Sequence, residues 1–234
     1  MIVLQLVLAH LLGDFILQPT QWVEKRRKKG KGLVFRVYHV LVHMILVALL
    51  TGFSVDTLWM IPVIGASHFG IDFLKDRFYS KKRAVALFLL DQLAHLMVIA
   101  AVVYGDGVNF SNIELSLESI YALAIGLLLA TYVSSVLIRM VLNSVLNELT
   151  DSKMDESMRK AGLIIGMLER VFVFAFVVLN YWQGIGFLLA AKSIFRFGDL
   201  SQKDHRIKTE YVLIGTLLSF GLAMLSGGLY NWIT

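Results

Sequence analysis

The chain has no cysteine, only two prolines, and charged residues make up just 17% of it. The missing thiols exclude disulfides, thiolate zinc sites and cysteine nucleophiles. So little charge beside 57% hydrophobic residues excludes an ordinary soluble domain of this length. No Ser/His/Asp order, phosphate-binding glycine loop or nucleic-acid motif stands out, so those chemistries have no support. The net charge of +5 does not argue for nucleic acid, because the basic residues sit between apolar stretches. There they set topology and touch anionic lipid. A cleaved leader is not expected either: the segment from Met1 to Leu17 is apolar and the basic run Lys25 to Lys31 follows it. That is the reverse of signal-peptide order, so the segment reads as a retained helix.

What is present is a series of apolar stretches of roughly 15 to 23 residues, the length that crosses a hydrocarbon core of about 30 Å. The expected fold is all-α, a polytopic membrane helix bundle. Its spans are placed near 1–18, 34–53, 58–74, 84–104, 119–142, 162–181, 184–197 and 210–232. Eight spans are expected, or seven if a short one such as 58–74 or 184–197 does not cross. Pro19 follows the first span, and Pro62 lies in the first turns of the third, where a missing N–H is tolerated. With the amino terminus outside, the internal connections hold Lys25–Lys31, Lys75–Arg83, Lys153–Lys160 and Lys203–Lys208. The external ones, 52–57, 105–118 and 182–183, contain no Lys or Arg. This asymmetry sets the orientation, with basic loops in the cytoplasm. The expected organisation is bipartite: a four-helix half at 1–104, an external linker at 105–118 and a second four-helix half at 119–234.

Each of the first four helices carries two polar residues four apart: His10 and Asp14, His39 and His43, His68 and Asp72, Asp91 and His95. Residues i and i+4 share a helix face, so each pair presents two donors to one point. Counted at about 1.5 Å per residue from the cytoplasmic helix ends, all four pairs overlap roughly 3 to 16 Å deep. Burying one ionisable group in a bilayer costs on the order of 2.5–3.5 kcal/mol, so eight of them need partners. A divalent ion satisfies several at once, and imidazole with carboxylate suits Zn, Mn or Fe. One or two such ions are expected. His10, Asp14, His39, His43, His68, Asp91 and His95 are the candidate ligands, and Asp72, nearest the cytoplasm, is the candidate general base. A metal-free proton relay and a structural network are the competing readings. Bis-histidine haem ranks below them, since it leaves Asp14, Asp72 and Asp91 buried without a role.

The second half has its own intramembrane charges: Glu169 and Arg170, Lys192 and Arg196, with Arg139 and Glu210 at helix ends. They read either as an interhelical ion-pair network or as a basic pocket in which Arg170, Lys192 and Arg196 take a lipid phosphate. Gly162 and Gly166 form a small-xxx-small pair that suggests helix packing.

The segment His10-Leu-Leu-Gly-Asp14, with Gln18, Trp22 and the three later pairs, resembles the opening of a bacterial membrane-protein family. That family is catalogued as domain of unknown function 3307. The stretch from Gly166 through Arg170, then Ala191-Lys192-Ser193 with Arg196, and Glu210 to Thr216, resembles the carboxy-terminal part of its longer members. The resemblance implies a multi-pass protein of the bacterial inner membrane and supplies no activity. In style of site alone, the paired His and Asp are similar to inner-membrane metal-dependent hydrolases. The leading expectation is therefore a membrane-embedded metal-dependent hydrolase, acting on a lipid or lipid phosphate at the cytoplasmic leaflet. The alternatives are a divalent-cation or proton transporter and a non-catalytic metal sensor or scaffold. Expected partners are the bilayer and its anionic lipid, with no nucleic acid.

Overall fold

The computed structural model describes residues 1–26, 32–105, 115–146, 156–197 and 206–234, and among them only helices and turns occur. The helices are α1 (Ile2–Leu11), α2 (Thr20–Arg26), α3 (Gly32–Leu50), α4 (Met60–Arg77) and α5 (Ala84–Gly105). They continue with α6 (Leu115–Leu128), α7 (Ser134–Leu146), α8 (Glu156–Val178), α9 (Trp182–Phe197) and α10 (Arg206–Ile233). Wide π-helical turns extend α1 at Leu12–Ile16 and join α6 to α7 at Leu129–Val133.

Among the described residues, six helical stretches are long and apolar enough to cross a membrane: Gly32–Leu50, Val55–Arg77, Ala84–Gly105, Leu117–Ser144, Ala161–Val178 and Leu213–Ile233. The first apolar segment is not one straight helix. Ile2–Ile16 and Thr20–Arg26 meet at 85°, and only taken together do they form a seventh candidate. Pro19 lies at the bend, where it cannot donate to a continuing helix. At 16 residues, α9 spans about 24 Å, short of a hydrocarbon core.

The chain divides into two compact units, Met1–Ile125 and Gly126–Thr234. The division falls inside the long stretch Leu117–Ser144, beyond the expected linker, of which residues 106–114 lie outside the described residues. A physical tie explains the position: the amino-terminal ammonium of Met1 donates to buried Glu118 Oε1 at 2.5 Å. The start of α6 therefore belongs with the first unit.

In that unit α1 packs on α3 and α5, α4 packs on α3 and α5, and α2 lies against α3. Leu6, Ala9, Val47, Met60, Ile64, Ile99, Val102 and Val103 form a buried apolar cluster. On every helix these residues lie to the same side of the His/Asp pair, because alternate helices reverse direction. Polar and apolar layers are thus stacked along the bundle. Gly65 lets α4 approach α3: a Cβ there would sit 2.8 Å from Met44 Sδ.

The second unit packs α10 on α8 and α7, with α9 against α8, around Val173, Val177, Ile185, Phe220 and Ala223. Its close approaches are at Gly126, where a Cβ would meet Phe174 at 2.6 Å, and Gly227, where it would meet Val177 at 2.7 Å. Gly162, expected at a packing face, has nothing within 4 Å, and Gly166 faces only Arg170 Nη1 at 3.3 Å. Arg170 is buried and ties the unit together. Its Nε donates to Ala130 O at 2.6 Å, Nη1 to Ser219 Oγ at 3.1 Å, and Nη2 to Thr131 O at 3.3 Å and Ser135 Oγ at 2.5 Å. Two of these acceptors are carbonyls of the π-helical turn, which lacks the regular i−4 pattern and leaves them for a side chain. Arg170→Met is expected to destabilise the protein by roughly 2–4 kcal/mol, a drop of about 5 °C or more in Tm in detergent. Unchanged thermal unfolding would show that the guanidinium does not brace the turn.

Candidate metal centre

The His/Asp pairs of the first unit converge. His10, His39, His43, His68, Asp72, Asp91 and His95 are each at most 4% exposed, and the Asp14 side chain is 10% exposed. Asp14 is the hub. Its Oδ1 lies 3.1 Å from His39 Nε2, 3.1 Å from His43 Nε2 and 3.6 Å from His68 Nε2. Its Oδ2 lies 3.9 Å from His10 Nε2 and accepts from Gln92 Nε2 at 3.1 Å. His68 Nε2 and His39 Nε2 are 3.0 Å apart.

Local structure makes this convergence. Asp14 sits within the π-helical turn that ends the first helix, and Gly13 beside it has no side chain to hold His43 away. A Cβ on Gly13 would lie 2.3 Å from His43 Cε1. The imidazole of α3 therefore reaches the carboxylate of the first helix across the glycine's vacant face.

These separations suit an ion. Zinc holds its ligands at about 2.0–2.1 Å, so neighbouring donors on a tetrahedral or octahedral centre lie about 3.0–3.4 Å apart. Two donor sets are gathered at a somewhat wider spacing. One atom each from His10, Asp14, His43 and His68 lie within 4.8 Å of one another, and so do atoms of His39, His68 and Asp72. The protein thus contains buried His/Asp clusters able to hold a metal ion.

Hydrogen bonds outside the donor set fix the rings. Gln92 donates to Asp14 and to Asp91 Oδ2, at 3.1 and 3.2 Å, so its Oε1 faces His10 Nε2 at 3.2 Å and accepts that proton. His10 is left with Nδ1 as its lone pair. His95 Nδ1 donates to the backbone carbonyl of Asp91 at 2.8 Å, which leaves Nε2 as a buried lone pair without a hydrogen-bond partner among the described residues. A ligating histidine commonly has its second ring N–H held by a carbonyl in this way.

Charge balance separates the carboxylates. Asp72 is ion-paired with Arg26, and Asp76 lies 3.1 Å from Arg36 Nη2 and 3.6 Å from Arg26 Nε. Asp91 accepts from Lys75 Nζ at 2.6 Å. Three cationic side chains face four carboxylates, and the one they leave over is Asp14. Among the described residues its partners are imidazoles and the Gln92 amide.

The expected ligands therefore divide. His10, Asp14, His39, His43, His68 and Asp72 share one cluster. His95 stays beside it, its ring 4.2 Å from His68 and 4.8 Å from His10. Asp91, expected as a ligand, is turned to Lys75, whose charge lies closer than any imidazole. Asp72, expected as a free general base, is engaged by Arg26. Arg26, Lys75 and Gln92 were not singled out among the expected site residues. For Gln92 a signal existed: it is the one amide in an otherwise apolar stretch and adjoins Asp91. Arg26 was concealed inside a run of basic residues.

Of the residues expected to take a lipid phosphate, Arg170 and Lys192 have protein partners. Arg170 donates to internal carbonyls and hydroxyls, and Lys192 Nζ pairs with Glu169 Oε2 at 2.5 Å. The Arg196 side chain lies outside the described residues.

If the vacant face of Gly13 positions His43, Gly13→Ala should weaken binding of added zinc by about tenfold or more. Gly70→Ala is the control, since a Cβ there meets nothing within 4 Å. Equal zinc affinity in both variants would remove Gly13 from the account.

Searches of curated proteins and of solved structures found no match. A family model matches residues 2–124, which include every His/Asp pair of the first unit. The likeness noted in the carboxy-terminal part lies beyond this match. On the matched half, the chain belongs to the family described as protein of unknown function DUF3307.

Proposed function

We propose that the protein is a membrane-embedded, metal-dependent hydrolase whose ion is held by His10, Asp14, His43 and His68. The observation that carries the reading is Asp14: a nearly buried carboxylate with no Lys or Arg partner among the described residues, ringed by imidazole nitrogens. Such a charge at membrane depth requires a cation. When bound, a divalent transition metal supplies Lewis acidity and makes water nucleophilic near neutral pH.

A water-sized cavity beside the cluster supports hydrolysis as the chemistry. It is lined by His10, His43, His68 and His95, with Ser67 and the apolar Leu6, Val47, Ile64, Val98 and Ile99. In that cavity the His95 lone pair is available to orient a water, while Gln92 and the Asp91 carbonyl hold the rings in their tautomers. The apolar layer beyond it favours a resident ion over a transported one.

Orientation and substrate are part of the same proposal. Eight crossings, with α1–α2 and α9 completing the six long spans and the bilayer thinned locally around the short α9, would put the amino terminus outside and the basic loops in the cytoplasm of a bacterial inner membrane. Lys75 and Arg36 then lie at the cytoplasmic side of the cluster, where a lipid or lipid phosphate arrives. Arg170 is not counted as a phosphate donor, because its Nε, Nη1 and Nη2 donate to internal carbonyls and hydroxyls.

Purified protein is expected to carry about one transition-metal equivalent per chain by elemental mass spectrometry, lost in Asp14→Asn. It is also expected to turn over a member of a phospholipid and prenyl-phosphate panel only when loaded. A chain that stays metal-free after reconstitution with Zn, Mn and Fe would sink the reading. Full metal without turnover on any panel member would remove the hydrolase and leave a structural or sensing ion.

A further inference from the structure

We infer that His39, His68 and Asp72 form a second divalent-cation position, which the chain itself occupies with the Arg26 guanidinium. The inference rests on the metal reading above, since the two positions share His68.

The donor atoms are in place. Asp72 Oδ2 lies 3.7 Å from His39 Nε2 and 3.8 Å from His68 Nε2, and the two nitrogens are 3.0 Å apart. All three residues are buried. Arg26 Nη1 donates to this same Oδ2, the oxygen facing the imidazoles. Its guanidinium thus neutralises the carboxylate that a second ion needs. Arg26 is itself only 4% exposed, which is unusual for a cation in a seven-residue helix.

Displacing Arg26 from Asp72 need not strand it. Its Nε already lies 3.6 Å from Asp76 Oδ2, so the guanidinium keeps a carboxylate neighbour when Asp72 turns to an ion. Coordination chemistry then sets the consequence for the first position. An imidazole nitrogen has one lone pair, so His68 Nε2 serves one ion at a time. Filling the second position transfers His68 to it and leaves His10, Asp14 and His43 on the first. Arg26 therefore keeps His68 on the first ion, and high divalent-cation concentration draws it to the second. The ligand class is a transition-metal dication with mixed imidazole and carboxylate preference, such as zinc or manganese.

The test is equilibrium dialysis of the detergent-purified full chain against buffered free zinc and manganese, with bound metal counted by elemental mass spectrometry. Wild type should show a tight first equivalent and a second at least about tenfold weaker. Arg26→Met should strengthen the second phase by about tenfold or more, and Arg26→Met with Asp72→Asn should abolish it. A single equivalent in wild type at every concentration, or a second phase indifferent to Asp72→Asn, overturns the inference. Should Arg26→Met fail to fold, wild type against Asp72→Asn decides alone. Absence of even the first phase would instead remove the metal reading on which this one rests.

Discussion

Everything in the first unit depends on one carboxylate that has no permanent counter-charge among the described residues. Asp14 lies at the end of an apolar helix, in a turn wide enough to present it inward, among four imidazoles at 3.1 to 3.9 Å. Neutral histidines soften its field with dipoles and do not cancel it. A proton shared by the rings or a bound dication does. The proposed cation would also account for imidazole nitrogens crowded to 3.0 Å when each of them alone would be content with one hydrogen-bond partner.

The surrounding residues hold that arrangement from two sides. On one, Arg26, Arg36 and Lys75 neutralise Asp72, Asp76 and Asp91, so among the described residues Asp14 faces the imidazoles without a counter-charge. On the other, Leu6, Val47, Met60, Ile64 and Ile99 form an apolar layer. Between them Gln92 is the connecting piece, donating to two carboxylates and accepting from His10. The low dielectric that makes an unpaired Asp14 costly also makes an ion between its ligands strongly held. The second unit solves a similar problem without chemistry: Arg170 spends its donors on a turn that leaves carbonyls unmet.

How much of this was legible beforehand follows from what each signal encodes. The i, i+4 pairs His10/Asp14, His39/His43 and His68/Asp72 were readable because helical spacing alone puts both members on one face. Their common depth followed from span length. The role of Asp91 was not readable, because its partner Lys75 lies on another helix and counted only as loop charge. Arg26 was hidden for the same reason, inside a basic run that reads as topology. Gly162 and Gly166 matched a packing pattern, yet the close contacts formed at Gly126 and Gly227, since the pattern states a spacing and not a facing helix. The bend at Pro19 and the π-helical turns arise from backbone geometry, which hydropathy does not record.

The most direct test of the central claim is X-ray absorption spectroscopy at the metal edge of the purified protein. The account predicts only nitrogen and oxygen neighbours at about 2.0–2.1 Å, with the multiple-scattering pattern of two or more imidazoles. A spectrum of oxygen neighbours without imidazole scattering would mean a surface-bound hydrated ion and would contradict it.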